Sequence, residues 1–226
     1  MSRVITIDGP ASSGKTTLAR LLAKALGWSL LESGKFYRFV TYTLLEEKQI
    51  EKFLNNELDI KEWLCKVFNN TQVKLNVNET EIFYKNKKLE EELRRKEVED
   101  FVSKVSAVKE VREFLTNYMR ELVKGSDVIA EGRDMGSVVF PFAEFKFFLT
   151  ADPEVRAKRR LRDVKEVLKE DRGEEEVKRN ILERDKLDSS RKVAPLKVPE
   201  GAIVIDTTNL TPEDVLKEVL SFVKKG

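Results

Sequence analysis

The stretch Gly9-Pro10-Ala11-Ser12-Ser13-Gly14-Lys15-Thr16 decides the fold of this chain. It follows the apolar run Val4-Ile5-Thr6-Ile7 and precedes a helical pattern from Leu18 to Leu26. A strand, a Gly-x4-Gly-Lys-Thr loop and a helix in this order predict a phosphate-binding loop, because the backbone N–H groups curl around a phosphate and the helix N-terminus points at it. This context makes an ordinary Gly/Ser turn the weaker interpretation.

Individual residues of this loop have predicted tasks. Gly9 and Gly14 permit the tight path of the backbone. Lys15 reaches the β- and γ-phosphates of a bound nucleotide and is a candidate catalytic residue, and the Thr16 hydroxyl is the candidate ligand of Mg²⁺. The candidate phosphate-binding residues are Gly9, Pro10, Ala11, Ser12, Ser13, Gly14, Lys15, Thr16 and Thr17.

The composition limits the possible functions. A length of 226 residues indicates one domain, with room for an inserted subdomain. Lys and Arg number 42 against 40 Asp and Glu, so the net charge of +2 does not indicate a nucleic-acid binder. With Cys65 as the one cysteine, no intrachain disulfide can form, and we predict a small core residue on a helix. The absence of histidine excludes histidine acid–base chemistry.

The chain begins with a strand pattern rather than a signal peptide, and no apolar run approaches the length needed to cross a membrane. We therefore expect a cytoplasmic protein that acts on small molecules without a membrane or nucleic-acid partner. The high Lys and Glu content, with two Gln and one Cys, is typical of a heat-adapted protein.

Short continuous apolar runs alternate with helical patterns along the chain, which predicts an α/β fold with a doubly wound parallel sheet of five strands and flanking helices. The predicted strands cover 3–8, 28–31, 127–131, 144–149 and 202–206. The predicted helices cover 14–26, 34–48, 50–68, 90–103, 107–124, 153–168, 174–187 and 212–224. Alternating residues at 71–77 and 80–84, followed by 87–89, predict a small antiparallel β insert over about 71–89.

Arginines follow two of the predicted strands. Arg38 lies one turn into the helix that begins near Ser33-Gly34, and Arg133 lies in Gly132-Arg133-Asp134-Met135-Gly136, directly after the third strand. Ligands of such sheets bind at the carboxyl ends of the strands, so both arginines should meet the phosphate loop in one crevice. Guanidinium groups bind phosphate in a bidentate manner, which predicts a second phosphate there.

Two further helices carry arginines and predict a helical lid over about 156–186. The first contains the basic run 156–162, and the helical pattern breaks at Asp171-Arg172-Gly173. Arg184, Asp188 and Arg191 then recur at i, i+4 and i+7, which places them on one helical face if the helix continues. Arg162 and Arg172 are interpreted as surface residues.

Several segments together resemble the bacterial-type cytidylate kinases, a group of the nucleoside monophosphate kinases. They follow the family's order over nearly the whole chain, and the Gly-Arg-Asp-Met-Gly and Val-Ala-Pro-Leu segments are the most specific. The segments are Ile7-Asp8-Gly9-Pro10 with the phosphate loop, Ser33-Gly34 with Tyr37-Arg38, Val111-Arg112-Glu113, 132–136 with Val138-Val139-Phe140-Pro141, and Arg184-Asp185 through Leu196. The β insert also matches one that these kinases carry.

The resemblance implies ATP-dependent phosphorylation of CMP and dCMP with Mg²⁺. It gives acceptor-phosphate binding to Arg38, Arg133 and Arg191, and base recognition to Ser103, Arg112 and Asp134. Arg184 and Asp188 would contact the ribose, and Ser33 completes the CMP site. Arg159 and Arg160 would reach the donor phosphates when the lid closes, so the implied catalytic residues are Lys15, Arg133, Arg159 and Arg160.

The resemblance also implies one kinase domain in three parts: a core (about 1–32, 104–155 and 187–226), a monophosphate-binding part (about 33–103) and the lid. We expect a monomer. Two departures stand out, because the family often has Asp where this chain has Glu32 and Glu131. The longer side chains would widen the acceptor site or alter the water contacts of Mg²⁺.

Three other functions fit parts of the sequence. An adenylate or shikimate kinase shares the loop and the lid arginines but not the insert or the Gly-Arg-Asp-Met-Gly segment. A GTPase switch would need Asn-Lys-x-Asp, and the nearest segment, Asn86-Lys87-Lys88-Leu89, lacks the Asp. A nucleic-acid binder could use the basic helix at 156–162, which the near-zero net charge disfavours.

Overall fold

A five-stranded parallel sheet forms the centre of the protein. The computed structural model describes residues 2–166 and 173–224. Within them the sheet has the order β2-β6-β1-β7-β8, and every neighbouring pair is parallel. The strands are β1 (Val4–Asp8), β2 (Ser29–Glu32), β6 (Val128–Gly132), β7 (Phe145–Thr150) and β8 (Ile203–Asp206). The predicted doubly wound α/β fold is confirmed.

Helices cover both faces of this sheet. In the described part of the chain they are α1 (Lys15–Leu26), α2 (Ser33–Glu46), α3 (Ile50–Leu54), α4 (Ile60–Asn69), α5 (Lys96–Ala107), α6 (Lys109–Leu122), α7 (Pro153–Glu166), α8 (Glu174–Ser190) and α9 (Pro212–Val223). Because strand side chains alternate between faces, Val4 packs with Phe36 and Leu115 on one side, whereas Ile5 packs with Leu18 on the other. Apolar layers on both faces explain the continuous apolar strand patterns.

Two predictions about the segment 50–68 are wrong. It forms two helices rather than one, because Asn56 adopts a left-handed conformation with φ of 58° after α3. The carboxylate of Asp59 then accepts a hydrogen bond from the Glu62 N–H and caps α4. Cys65 is exposed on α4 rather than buried in the core, because the buried face of that helix carries Trp63, Leu64, Val67 and Phe68.

The predicted β insert is confirmed and is joined to the main sheet. Its strands are β3 (Thr71–Leu75), β4 (Thr80–Tyr84) and β5 (Lys87–Leu89), all antiparallel. The Thr80 hydroxyl accepts a hydrogen bond from the Glu32 N–H at 2.7 Å and donates one to the Leu30 carbonyl at 2.9 Å. The insert therefore extends from the end of β2, where the candidate acceptor site begins.

Glu32 connects this insert to the core of the protein. Its carboxylate accepts hydrogen bonds from Arg20 Nη2 at 2.8 Å and from the Thr80 N–H at 3.1 Å. It also forms an ion pair with Lys35 Nζ at 3.0 Å, and the residue is only 3% exposed. Glu32 does not line the central cavity. Its longer side chain serves the packing of the insert through these contacts to Thr80 and Lys35.

We expect Glu32→Gln to lower the free energy of unfolding by about 2 kcal/mol, because a neutral amide weakens charged hydrogen bonds in a buried site. The measurement is urea denaturation of purified protein followed by circular dichroism. Glu46→Gln is the matched control, since Glu46 forms an exposed ion pair with Arg95 and should cost about 0.5 kcal/mol or less. Equal effects of the two substitutions would show that Glu32 does not anchor the insert.

Candidate functional site

One large cavity lies at the carboxyl ends of the strands and has a volume of about 1080 Å³. The phosphate loop and helices α2, α5, α7 and α8 surround it. Most of the residues predicted from the sequence line it: Ala11, Ser12, Ser13, Gly14, Lys15, Thr16, Thr17, Ser33, Arg38, Ser103, Arg112, Arg133, Asp134, Arg159, Arg160, Arg184, Asp188 and Arg191. The fold thus brings the predicted donor and acceptor residues into a single space.

Gly9 and Pro10 belong to the loop but do not line the cavity. Gly9 has a φ of 147°, and a Cβ atom there would lie 2.1 Å from the Leu149 carbonyl oxygen of β7. Glycine is therefore required for close packing of the loop on the sheet. The Pro10 carbonyl accepts a hydrogen bond from Lys15 Nζ at 2.7 Å. Both residues shape the loop from behind.

The loop presents a cation and free N–H groups to the cavity. Lys15 is 9% exposed, and its burial together with the nearby Arg133 lowers the pKa of its ammonium group. Within the described residues, the N–H groups of Ser12, Ser13 and Gly14 make no hydrogen bond. A phosphate group would satisfy these donors and would stabilise the charged form of the lysine.

The Thr16 hydroxyl lies beside a carboxylate at the end of β6. Thr16 Oγ1 donates a hydrogen bond to Glu131 Oε1 at 3.3 Å. Burial raises the pKa of Glu131, and Lys15 opposes that change. Mg²⁺ binds hydroxyl and carboxylate oxygens as ligands, and oxygens of phosphates and water complete its coordination shell. This donor set fits Mg²⁺ together with a nucleotide, and no cluster of three or more Asp, Glu, Cys or His occurs in the described ranges to hold a metal unaided.

A buried carboxylate supports the Gly-Arg-Asp-Met-Gly segment from below. The two oxygens of Asp8 accept hydrogen bonds from the Met135 and Gly136 N–H groups, each at 2.7 Å. These two residues begin a π-helical turn, Met135–Val139, directly after Arg133 and Asp134. Burial raises the pKa of Asp8 to about 7. Asp8 therefore fixes the loop that carries both functional side chains.

The raised pKa of Asp8 makes stability depend on pH. Its folded pKa of about 7 exceeds the ordinary 3.8, so its favourable contribution is complete below about pH 4 and is lost as the pH rises to 7. We expect the stability advantage of the wild type over Asp8→Asn to shrink between pH 4 and pH 7 in urea titrations. For the control Asp127→Asn it should not shrink, because Arg3 lowers the pKa of Asp127. A constant difference for Asp8→Asn would contradict the assignment.

Arg38 and Arg133 face the same part of the cavity. Arg38 Nη1 donates a hydrogen bond to the Leu93 carbonyl at 3.1 Å, and its Nη2 lies 3.9 Å from Glu99. Arg133 Nη1 donates to the Gly9 carbonyl at 2.7 Å, and its Nε lies 3.0 Å from Asp188. Burial lowers the pKa of each guanidinium to about 10, so both remain cationic near neutrality. Two partly buried cations that line the same cavity as the phosphate loop suit a second phosphate.

The pair Arg112–Asp134 forms one wall of the cavity. Arg112 Nη2 donates to Asp134 Oδ2 at 2.5 Å, and both side chains are 3% exposed. Arg112 Nη1 donates to the Ser106 carbonyl at 2.9 Å, and its guanidinium lies 5.1 Å from the centre of the Tyr37 ring. Within the described residues, Arg112 Nε has no hydrogen-bond partner. The wall thus offers a fixed donor and acceptor side by side.

Helix α8 contributes the remaining acceptor-side residues. Asp188 forms ion pairs with Arg133 and with Arg191 Nη1 at 3.4 Å. The helix continues past its predicted end to Ser190 and thus includes Arg184 and Asp188, whereas Arg191 lies just beyond it. The guanidinium of Arg184 has no ion pair in the described part of the chain, although it lines the cavity.

The arginines of the predicted lid are held by protein groups in this structure. Arg159 donates hydrogen bonds to the hydroxyl and the carbonyl of Thr207, at 2.9 and 2.6 Å. Arg160 forms an ion pair with Glu99 of α5, which the sequence did not predict. Arg162 is exposed, as expected. The predicted break in the lid includes Asp171 and Arg172, which lie outside the described residues.

Comparison with known proteins agrees with this geometry. The family profile described as cytidylate kinase matches residues 5–225. This chain belongs to the cytidylate kinase family. It is 42% identical to the cytidylate kinase of Caldanaerobacter subterraneus subsp. tengcongensis, over 98% of this chain and 95% of that protein. It is also 42% identical to the cytidylate kinase of Thermosipho melanesiensis, over 98% of this chain and 96% of that protein.

The fold also resembles that of a solved structure outside these relatives. An uncharacterized protein from Eubacterium ventriosum superposes with a TM-score of 0.52 at 12% identity, over all of both chains. This likeness concerns the fold alone. Among residues 2–166 and 173–224, no helix has the length and apolar character needed to cross a bilayer.

Several residues at or near this candidate site received no role from the sequence alone. The Tyr37 ring beneath Arg112, the Asp8 carboxylate and Glu99 all act through partners distant in the chain. The adjacent motifs contain Asp8 and Tyr37, but no local pattern indicates what they contact. Glu99 occurs on a helix with many charged residues and has no distinguishing signal.

Proposed function

We propose that this protein transfers the terminal phosphoryl group of ATP to CMP and dCMP, giving CDP and dCDP. The observation that carries the proposal is that the phosphate loop and the buried Arg112–Asp134 pair line the same cavity. The loop explains binding of a nucleoside triphosphate, and the pair explains recognition of a cytosine. Membership of the cytidylate kinase family supports both assignments.

Hydrogen-bond complementarity favours cytosine at the Arg112–Asp134 wall. Cytosine offers an N4 amino donor beside the N3 and O2 acceptors, which suits a carboxylate next to a guanidinium. Uracil would place its O4 acceptor against the Asp134 carboxylate and its N3–H against a donor. Each buried polar group left unpaired costs about 1–3 kcal/mol, which corresponds to a preference for CMP over UMP of roughly 10- to 100-fold. Ser103 would also contribute to base recognition, because it lines the same cavity as this pair.

The acceptor phosphate would bind to Arg38, Arg133 and Arg191. Arg38 and Arg191 make weak ion pairs at 3.9 and 3.4 Å, which a dianionic phosphate can displace. Arg184 and Asp188 would contact the ribose, and Ser33 at the start of α2, which lines the same cavity, would complete the CMP site. The choice between CMP and dCMP would lie with the ribose contacts.

Phosphoryl transfer depends on positioning and on neutralisation of charge. The acceptor is already an anion, so the reaction needs no general base, which agrees with the absence of histidine. Lys15 would neutralise the donor phosphates, joined by Arg159 and Arg160 when they leave Thr207 and Glu99. Thr16 and Glu131 would hold Mg²⁺ on the donor, where it supplies positive charge to the phosphates. The closed lid would exclude water, a competing acceptor.

The test is an ADP-release assay with Mg-ATP and a panel of CMP, dCMP, UMP, AMP and shikimate. We expect rapid turnover with CMP and dCMP and little with UMP. Turnover with AMP or shikimate would still support the role of the phosphate loop, but it would refute the assignment of cytosine recognition to Arg112 and Asp134. The proposal also includes a monomer acting on free nucleotides in the cytoplasm, and size-exclusion chromatography with light scattering tests the monomer.

A further inference from the structure

The backbone of Ala11 in the phosphate loop contacts both α7 and α8. The Ala11 N–H donates a hydrogen bond to Asp185 Oδ1 of α8 at 3.1 Å. The Ala11 carbonyl accepts one from Arg156 Nη1 of α7, also at 3.1 Å. Arg156 and Asp185 form an ion pair with each other, so these three residues make a closed arrangement that we call the Ala11 clamp.

The Ala11 clamp is buried, which gives its contacts weight. The side chains of Arg156 and Asp185 are 6% and 15% exposed, and Arg156 Nε also donates to the Ala151 carbonyl at 3.1 Å. The Ala11 methyl group belongs to a separate apolar cluster between the lid helices, with Ala157, Val177 and Ile181. Polar and apolar contacts therefore both fix the same residue of the loop, and a charged pair of this kind is strongly oriented.

The clamp also connects the loop to the acceptor side. Asp185 follows Arg184 and lies one helical turn before Asp188. The Asp188 carboxylate pairs with Arg133, which donates to the Gly9 carbonyl. Helix α8 thus contacts the loop directly at Ala11 and through Arg133 at Gly9, on both sides of Pro10.

We propose that Arg156 and Asp185 are positioning residues for phosphoryl transfer. They fix the N–H and the carbonyl of Ala11, and through these two peptide groups they aim the N–H groups of Ser12, Ser13 and Gly14 at the donor phosphates. The proposal rests on the proposed kinase function, and it adds that the lid helices shape the donor site even before the lid arginines reach it.

The structure supplies a matched control for this role. Glu154 of α7 and Lys178 of α8 form a second ion pair between the lid helices, but Glu154 is exposed and the pair has no contact with the phosphate loop. Glu154→Gln removes a link between the same two helices and leaves Ala11 untouched. We expect it to leave kcat and the affinity for ATP within twofold of the wild type.

The test compares Asp185→Asn and Arg156→Lys with this control. Calorimetry gives Kd values for ATP and for CMP separately, and steady-state assays give kcat. We expect each variant to weaken ATP binding about tenfold and to lower kcat about 10- to 100-fold, the size that misplacement of a reacting group produces. CMP binding should stay within about twofold of the wild type.

Loss of a buried partner can also destabilise the protein, so a double variant separates the two effects. Arg156→Met with Asp185→Leu replaces the ion pair by apolar side chains, which is often neutral for stability. We expect its Tm to approach that of the wild type while kcat and ATP affinity stay low. If kcat and ATP affinity recovered together with Tm in this double variant, the positioning role would be overturned. An equal loss of CMP and ATP affinity would overturn it as well. A wild type that binds ATP but fails to phosphorylate CMP would instead refute the proposed function.

Discussion

Lys15→Met is expected to lower kcat for CMP phosphorylation by about 10³-fold, the loss that removal of one transition-state donor produces. Methionine keeps much of the length of the side chain and its apolar contacts but removes the ammonium group. That group is buried, and its Nζ donates a hydrogen bond to the Pro10 carbonyl at 2.7 Å. Burial lowers its pKa in the free protein, so the bound phosphates are needed to stabilise the charged ammonium form. The measurement is ADP release at saturating Mg-ATP and CMP.

Lys24→Met is the control for this substitution. Lys24 belongs to the same helix α1 but is exposed in its last turn, so its loss should change kcat less than twofold. CMP affinity of the Lys15 variant should stay near the wild-type value, because the proposed ligands of the CMP phosphate include Arg38 and Arg133 but not Lys15. If Lys15→Met lowered kcat by less than tenfold, another cation would have to neutralise the donor phosphates.

The fold follows closely from local patterns in the sequence. The strands β1 and β6 are completely buried, and their apolar runs predict buried parallel strands without any knowledge of their partners. Parallel strands need crossover helices, so the alternation of patterns fixes the layers as well. The prediction of a single helix over 50–68 was wrong because the apolar positions continue a helical pattern across the break. Asn55-Asn56 and the capping Asp59 were the signals that a helix ends and another begins.

The site was predictable in outline for a different reason. Residues at the carboxyl ends of parallel strands meet at one edge of the sheet, so Lys15, Arg38 and Arg133 had to converge once the strands were placed. No comparable rule predicts which residue each of these side chains pairs with. Arg160 pairs with Glu99, and Arg156 pairs with Asp185, across helices whose charged faces look like solvent-exposed faces in the sequence. Contacts of this kind depend on the angle between packed helices, which no local pattern encodes.

The second large expected effect concerns the base. Asp134→Asn should lower the ratio of kcat/KM for CMP to that for UMP by about 10- to 100-fold, because an amide can present either its oxygen to the cytosine amino group or its NH₂ to uracil O4. The neutral amide is close in size to the carboxylate, so the wall of the cavity keeps its shape beside Arg112. The measurement is the two kcat/KM values on one enzyme preparation, which makes the ratio independent of the active fraction.

Asp188→Asn distinguishes base recognition from general damage to the cavity. Asp188 pairs with Arg133 and Arg191 on the proposed ribose and phosphate side, so its loss should reduce turnover of CMP and UMP by the same factor. The ratio for Asp188→Asn should therefore equal that of the wild type, whatever the size of the decrease. A changed ratio in Asp188→Asn, or an unchanged ratio in Asp134→Asn, would mean that the buried Arg112–Asp134 pair only closes the cavity and that the base is read elsewhere. The two variants together test whether the Arg112–Asp134 wall discriminates between CMP and UMP.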